Sequence, residues 1–341
     1  MKGLIMLKAI LHTRPVRQLN TIFTQEDLER LGNTVEVIWG KDEQMPEDAW
    51  SEAKKEASIL IGIPSYGVGD VDENAAPHLK TIMEVGGAHP RKGQVDYQTC
   101  FRRSIRVLSC APAFAKMVAE MALGHALAAL RNIVDADRRM RRGEEKWGWR
   151  GQADICTLYN ATVGIIGYGN LARELRLLLA PFKCKLHAYD PWLPDTHLEQ
   201  HGIHPMGLEE LLQTCDVTFV LAIPTLENRE LLTYEKLAQI KQGAVLVLAS
   251  RSHLVDFDAL LKLTNAGRFR ATIDVYPEEP TPLDHPVRET ENTILTCHMA
   301  GAIDHALFEI GKMVADDVEA IAAGLPPIRM QVAQPEFVAR R

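Results

Sequence analysis

The feature that most constrains this chain is an apolar run leading into a glycine-rich turn, Thr162-Val-Gly-Ile-Ile-Gly-Tyr-Gly-Asn-Leu-Ala172. The β-branched run 162–166 predicts a buried parallel strand, and the residues after the turn predict a helix over 171–179. Gly167 permits a tight turn, Gly169 lets the backbone approach a pyrophosphate closely, and the small third position lets the helix pack near the strand. The N-terminus of that helix then faces the anion. Together these residues predict a dinucleotide-binding unit.

The second strand predicted for this unit, over 184–189, ends at Asp190. An acidic side chain roughly 20 residues beyond the first glycine can accept hydrogen bonds from the adenosine ribose hydroxyls, and it repels a 2′-phosphate. The residues therefore predict NAD(H) rather than NADP(H) as the cofactor. A glycine turn alone would only end a strand, but here a strand, a helix and an acidic residue accompany it.

Length and composition set outer bounds on the protein. A chain of 341 residues is too long for one ordinary core, so we expect two domains. No apolar run reaches the ~18 residues that a membrane span needs, and the lysine-interrupted start of the chain favours a first strand over a secretory signal. We therefore expect a soluble, cytoplasmic protein without a membrane partner. The net charge of −7 disfavours nucleic acid, and the six cysteines lack CxxC pairing, which indicates reduced thiols.

Strand-like and helix-like segments alternate along the chain, which predicts an α/β fold with two doubly wound parallel-sheet domains. The early strand-like runs stand at 4–10, 35–39, 58–63, near Thr81, and at 105–109. They lack a glycine fingerprint, so this flavodoxin-like half should contact substrate rather than cofactor. Six further runs between Thr162 and Thr296 predict a Rossmann-type sheet.

The last predicted helix, over 304–323, is too long to be another sheet unit, and we expect it to return to the first domain. The predicted organisation is a cofactor domain of residues 112–301 inserted in a discontinuous substrate domain of residues 1–111 and 302–341. An apolar, alanine-rich helix predicted over 115–137 should lie at a domain or subunit interface.

Three polar residues come directly after predicted strands of the cofactor sheet, where open α/β sheets build their sites. They are Arg251, Glu279 and His298. A guanidinium can grip a carboxylate and polarise a neighbouring keto oxygen, and an imidazole can deliver or remove a hydroxyl proton. A carboxylate beside the imidazole fixes its tautomer. Each residue alone is more often structural, but together they meet the needs of hydride transfer to a carbonyl.

Three segments around these residues resemble the signatures of the D-isomer-specific 2-hydroxyacid dehydrogenases. They are Ala249-Ser-Arg-Ser-His-Leu-Val-Asp256, Asp274-Val-Tyr-Pro-Glu-Glu-Pro280 and Leu295-Thr-Cys-His-Met-Ala-Gly301. The resemblance implies that Arg251 binds substrate, that His298 is the acid/base and that Glu279 is its partner. It also implies a 2-oxo or D-2-hydroxy acid as substrate and a homodimer paired through the cofactor domain.

We assign the cofactor contacts to the glycine turn and to the ends of the strands that follow it: Gly167, Gly169, Asn170, Leu171, Asp190, Ala222, Pro224, Ala249, Ser250, Asp274 and His298. The loop 86–97 is rich in turn formers, and its backbone amides could hold a carboxylate. We assign the substrate contacts to this loop, to the first domain and to the arginine: Ser65, Gly86, Gly87 and Arg251.

The chain departs from the family pattern at Ser252 and His253, where glycines are usual, at Cys297, where proline is usual, and in the loop 86–97. These departures leave the identity of the acid open. A phosphite-type dehydrogenase and an NADH-responsive regulatory protein, like the transcriptional corepressors that the family also resembles, remain alternatives. A formate dehydrogenase would need a different partner for the histidine.

Two further segments are rich in histidine or arginine and could form sites of another kind. His197, His201 and His204 have a spacing that could place two imidazoles on one helical face. No acidic or cysteine ligand stands in register with them, so we expect a solvated helix and no metal. The basic run 138–142 is expected to be a solvated helix end or a subunit contact.

Overall fold

The computed structural model describes residues 6–12, 17–148 and 155–340. The chain forms two compact units, one made of Met1–Phe114 and Ala302–Arg341 and the other of Ala115–Gly301. We call them the first and the second unit. The first boundary falls at Phe114 rather than at residue 111, because the short turn Ala111–Phe114 stays with the first unit.

The strands are β1 (Lys8–His12), β2 (Glu36–Lys41), β3 (Ile59–Ile61), β4 (Thr81–Glu84), β5 (Arg106–Ser109), β6 (Thr162–Ile166), β7 (Lys185–Tyr189), β8 (His204–Pro205), β9 (Val217–Val220), β10 (Val245–Leu248), β11 (Arg270–Ile273), β12 (Thr293–Leu295) and β13 (Gln331–Val332). The helices are α1 (Leu19–Ile22), α2 (Gln25–Thr34), α3 (Glu47–Glu56), α4 (Tyr97–Arg102), α5 (Ala115–Leu130), α6 (Ile133–Arg142), α7 (Asn170–Leu179), α8 (Asp195–Glu199), α9 (Leu208–Thr214), α10 (Tyr234–Leu237), α11 (Phe257–Asn265), α12 (Asp304–Ala322) and α13 (Pro335–Val338).

The first unit is built on a sheet with the order β13-β5-β4-β3-β1-β2. Its first five strands in the chain pair in parallel, and their order is the flavodoxin-like one, as predicted. The short strand β13 adds an antiparallel edge, with Gln331 opposite Ser109. Two residues leave no pattern in a sequence, and this strand was not predicted.

Both faces of the inner strands β1, β3 and β4 are buried, which explains their mostly apolar residues, whereas the edge strand β2 is largely exposed. Alternate residues of a strand point to opposite faces. Ile59 and Ile61 therefore join the core beneath α12 and α2, whereas Leu60 joins the core around Trp50 on the other face. Helix α12 thus packs in the first unit, where the sequence placed it.

The second unit has a parallel sheet with the order β12-β11-β10-β9-β6-β7-β8. Starting from β6, this is the doubly wound order of a Rossmann fold with a strand added beyond β11. The sequence predicted six of these strands and missed β8, which is only two residues long. The glycine turn lies directly after the central strand β6.

The helix predicted over 115–137 is two helices, so that prediction was wrong. Helix α5 ends at Leu130, and Asn132 takes a left-handed conformation with φ +50° before α6 begins. Asparagine tolerates this conformation better than most residues.

By length and composition, the described part of the chain contains one candidate for a membrane span, Ala111–Leu130, and half of that window is buried inside the protein.

Candidate active site

The glycine turn after β6 has the geometry that a pyrophosphate requires. Gly167 has φ +89°, and a Cβ there would lie 2.4 Å from the Cα of Ala222. No other residue fits this position. Gly169 is the N-cap of α7, and a Cβ there would meet nothing within 4 Å. The space in front of the helix N-terminus is therefore open to backbone approach by an anion, and the residues present fit a dinucleotide.

Asp190 lies at the carboxyl end of β7, and its carboxylate is hydrogen-bonded to the backbone of the glycine turn. Its Oδ2 accepts a hydrogen bond from the Tyr168 N–H at 2.8 Å, and its Oδ1 accepts one from the Trp192 N–H at 3.0 Å. The same carboxylate lines an open cavity of about 300 Å³, together with side chains that include Leu198 and Met206. We expect this cavity to receive the adenosine end of the cofactor.

The remaining predicted cofactor contacts lie near the carboxyl ends of the same sheet. Asn170 and Leu171 begin α7, and Ala222 and Pro224 follow β9. Ala249 and Ser250 follow β10 and are 5% and 6% exposed. The Ser250 hydroxyl is buried without a hydrogen-bond partner in the described part of the chain.

Asp274 follows β11 and is 1% exposed. Its Oδ1 accepts hydrogen bonds from the Thr296 hydroxyl at 2.6 Å and the Met299 N–H at 3.0 Å, and its Oδ2 accepts one from the Ala300 N–H at 3.1 Å. In the structure this carboxylate anchors the loop that carries His298. Its contact with the cofactor stays a prediction.

His298 and Glu279 are brought together although 19 residues separate them. The His298 Nδ1 lies 2.6 Å from the Glu279 Oε2, and the Tyr276 N–H donates to the Glu279 Oε1 at 2.9 Å. A carboxylate at Nδ1 places the proton on that nitrogen and leaves Nε2 for a reacting group. His298 has φ +51°, a left-handed conformation that histidine adopts only at a cost, so its surroundings must hold it there.

The Glu279 carboxyl is kept ionised by its neighbours. Partial burial alone would raise its pKa, but the hydrogen bonds from His298 and from the Tyr276 N–H hold the pKa below its usual value. The charges of His298 and Arg251 act in the same direction. The three residues predicted to carry the chemistry therefore lie close enough in the second unit for their charges to interact.

Tyr276 ties the two strand ends together. Its hydroxyl donates to the Thr296 carbonyl at 2.8 Å, while its backbone holds Glu279. Burial raises the pKa of Tyr276 to about 12, so the hydroxyl remains a donor. Sequence reasoning did not single out this residue.

Arg251 is exposed at the carboxyl end of β10, and its Nη1 donates to the Ser250 carbonyl at 2.6 Å. Next to it, Ser252–Leu254 forms a short 3-10 turn in place of the usual glycines. His253 Nε2 lies 2.7 Å from the Thr225 carbonyl and so tethers this turn to the loop after β9. The sequence marked His253 as a departure but did not predict this tether.

The predicted substrate contacts of the first unit follow two adjacent strands, β3 and β4. The Ser65 hydroxyl, after β3, donates to the Gln44 side chain at 2.6 Å. Gly86 is buried after β4, and its carbonyl accepts from the Cys110 N–H at 3.1 Å. Gly87 is exposed, and a Cβ there would touch the Phe114 ring at 3.3 Å.

The histidines weighed as metal ligands have other neighbours. The rings of His197 and His201 lie 4.8 Å apart and pack around Tyr168, whereas His204 lies 5.5 Å from His187 on the adjacent strand. The prediction of a solvated helix is met only in part, because His197 and His201 are half-buried against Tyr168, and His204 is exposed but lies on β8. No group of three metal-binding side chains is found among the described residues.

Comparisons with known proteins bear on the same regions. The sequence model of the D-isomer specific 2-hydroxyacid dehydrogenase, NAD binding domain, matches residues 123–300. The D-3-phosphoglycerate dehydrogenase of Archaeoglobus fulgidus is 30% identical over 257 residues, which are 75% of this chain and 48% of that protein. This chain thus spans about half the length of that relative.

Two further proteins are similar over nearly their whole length. The glyoxylate reductase of Korarchaeum cryptofilum is 27% identical over 307 residues, which are 89% of this chain and 92% of that protein. A phosphoglycerate oxidoreductase from Rhizobium etli has a crystal structure that matches with a TM-score of 0.83 and 36% identity, covering 96% of this chain and 98% of that one.

Proposed function

Because the chain belongs to the D-isomer specific 2-hydroxyacid dehydrogenase family, we propose that it interconverts a 2-oxo acid and a D-2-hydroxy acid with NAD(H) as cofactor. The observation that carries the proposal is the 2.6 Å contact between His298 Nδ1 and Glu279 Oε2 at the edge of the NAD-binding sheet. A positioned imidazole with its carboxylate is the acid/base that reduction of a carbonyl requires.

Each of the three residues has a distinct task in this proposal. When bound, NADH supplies the hydride. His298 donates a proton from Nε2 to the carbonyl oxygen, since Nδ1 is held by Glu279. Glu279 stays ionised and stabilises the imidazolium that must precede the transfer. Arg251 binds the substrate carboxylate and polarises the carbonyl beside it, because its charge is permanent and its donors are forked.

The identity of the acid is a separate question. Relatives named for phosphoglycerate and for glyoxylate support a phosphorylated or a small 2-oxo acid as the first candidates. The direct experiment is a screen for NADH consumption with glyoxylate, hydroxypyruvate, a phosphorylated 2-oxo acid and bulkier 2-oxo acids, and for NAD reduction with phosphite. We expect at least one 2-oxo acid to be reduced. NADH binding without turnover of any of these compounds would contradict the proposal and favour the regulatory alternative.

We also propose that two copies pair through the second unit. Helix α6 buries none of its side chains, although Ile133 and Met140 stand on one face and are each 54% exposed. A second copy would cover this apolar pair. Light scattering at micromolar concentration should give the mass of a dimer, and Met140→Glu should lower it. A monomeric mass for the unaltered protein would contradict the proposal.

A further inference from the structure

His125, a buried side chain on α5, contacts the residues that hold the loop around His298. We call residues 296–300 the catalytic loop, because they include the proposed acid/base. His125 is 7% exposed, and its Nε2 lies 3.4 Å from the Thr296 hydroxyl oxygen. That hydroxyl in turn donates to Asp274 at 2.6 Å. The carboxylate holds the N–H groups of Met299 and Ala300, directly after His298. One continuous set of contacts therefore runs from α5 to the backbone of the predicted acid/base.

We propose that His125 is a positioning residue for the catalytic loop and acts through Thr296 and Asp274; for its effect on turnover, this inference rests on the proposed dehydrogenase function. The loop needs support because His298 is held at φ +51°. Contacts on both sides of His298, at Thr296 and at Met299 and Ala300, resist relaxation of its backbone.

The direction of each hydrogen bond follows from the number of protons. The Thr296 hydroxyl has one proton, and the 2.6 Å contact with the Asp274 carboxylate uses it, since an ionised carboxylate can only accept. Toward His125 the hydroxyl must then accept, so the imidazole carries its proton on Nε2. His125 thereby orients the Thr296 hydroxyl toward Asp274, and this hydrogen bond fixes the position of the Asp274 carboxylate.

The alternative is that His125 merely fills space in the core. A leucine would do this better, because the His125 Nδ1 is buried without a hydrogen-bond partner in the described part of the chain, and such a group is destabilising. The other buried positions of α5 are indeed occupied by alanine, valine and leucine. Burial lowers the pKa of His125 although Asp274 opposes this, so the neutral form with a proton on Nε2 is available at neutral pH.

The first test measures the loop itself in the full chain. The variants are His125→Leu, His125→Gln, Thr296→Val and, as a matched control, Thr272→Val. Thr272 is fully buried on the adjacent strand, but its hydroxyl has no hydrogen-bond partner among the described residues. A glutamine amide can donate from nearly the same place as the imidazole Nε2, so His125→Gln should restore the contact.

Hydrogen exchange of the Met299 and Ala300 amides should be about tenfold faster in His125→Leu and in Thr296→Val, and within about twofold of the unaltered protein in His125→Gln and Thr272→Val. Unchanged exchange in His125→Leu, or equally fast exchange in His125→Gln, would overturn the inference. If His125→Leu does not fold, His125→Asn replaces it, because the shorter asparagine amide cannot reach the Thr296 hydroxyl; exchange as slow as in the unaltered protein would then overturn the inference.

The second test measures turnover of the best acid found. We expect kcat to fall by about 10-fold to 100-fold in His125→Leu, with NADH binding unchanged and activity largely regained in His125→Gln. The double variant His125→Leu/Thr296→Val should be no slower than the single ones, because the two residues act in series. Additive losses would overturn the inference. Absence of any turnover by the unaltered protein would overturn the proposed function alone, because amide exchange still decides whether His125 anchors the loop.

Discussion

The proposed reacting groups of the second unit and the predicted substrate contacts of the first unit are held in different ways. His298 and Glu279 are bonded to each other, and the backbone around them is fixed by the buried Asp274. Ser65 is exposed and donates to the exposed side chain of Gln44, and Gly87 lies on an exposed loop. Proton transfer depends on geometry within a fraction of an ångström, whereas contacts on surface loops tolerate change.

This contrast suggests that residues of the second unit determine the reaction, whereas residues of the first unit select the substrate. Changes at the strand ends of the second unit should therefore affect kcat for every acid alike. Changes on the loops of the first unit should affect KM and differ from one acid to another.

The largest expected effect is that of His298→Ala. Loss of a general acid should lower kcat by roughly 10²-fold to 10⁴-fold for every acid tested, while NADH binding is largely retained. Initial rates of NADH consumption measure kcat, and a fluorescence titration with NADH measures cofactor binding. His78→Ala, which removes an exposed histidine of the first unit, is the matched control. Near-normal reduction by His298→Ala would remove the acid/base role.

A smaller effect is expected for Asp190→Ser, which tests the cofactor end of the same sheet. Loss of the carboxylate should weaken NADH and admit the 2′-phosphate of NADPH, so the ratio of kcat/KM for the two cofactors should narrow by about tenfold or more. Asp258→Ser, on the exposed first turn of α11, is the control. Equal use of both cofactors by the unaltered protein would show that Asp190 does not select between them.

The smallest effect is expected for Ser65→Ala in the first unit. Its KM should change by less than about fivefold, by a different factor for each acid, and kcat should stay near that of the unaltered protein. Ser51→Ala, an exposed serine on α3, provides the comparison. A uniform loss of kcat with Ser65→Ala would break the proposed division between the two regions.

The sequence could predict that the candidate reacting groups lie together, because each follows a strand and parallel strands bring their carboxyl ends to one edge. Arg251, Glu279 and His298 could be found in this way without knowing any distance. The doubly wound order of both sheets followed from the alternation of strands and helices. Two-residue strands such as β8 could not be predicted, because they leave no periodic pattern.

The parts that could not be predicted are contacts between distant residues. His125 and Thr296 are 171 residues apart, and no local pattern links them. The sequence assigned Asp274 to the cofactor, but only the folded chain shows that its oxygens hold the loop around His298. The end of α5 was missed for a related reason, since Asn132 is not a strong helix breaker by itself.

The measurement that tests the central claim most directly is the pH profile of reduction for the unaltered protein, Glu279→Gln and the neighbouring control Glu278→Gln. Since the pKa of Glu279 is held below its usual value, this residue is ionised throughout the neutral range and stabilises protonated His298. Reduction should therefore fall as pH rises, and the pH of half-maximal rate should be lower by roughly one unit in Glu279→Gln, because one opposite charge has been removed. Glu278→Gln should follow the unaltered protein. The same midpoint in all three proteins would contradict the assignment of Glu279 and His298 as the proton-transfer pair.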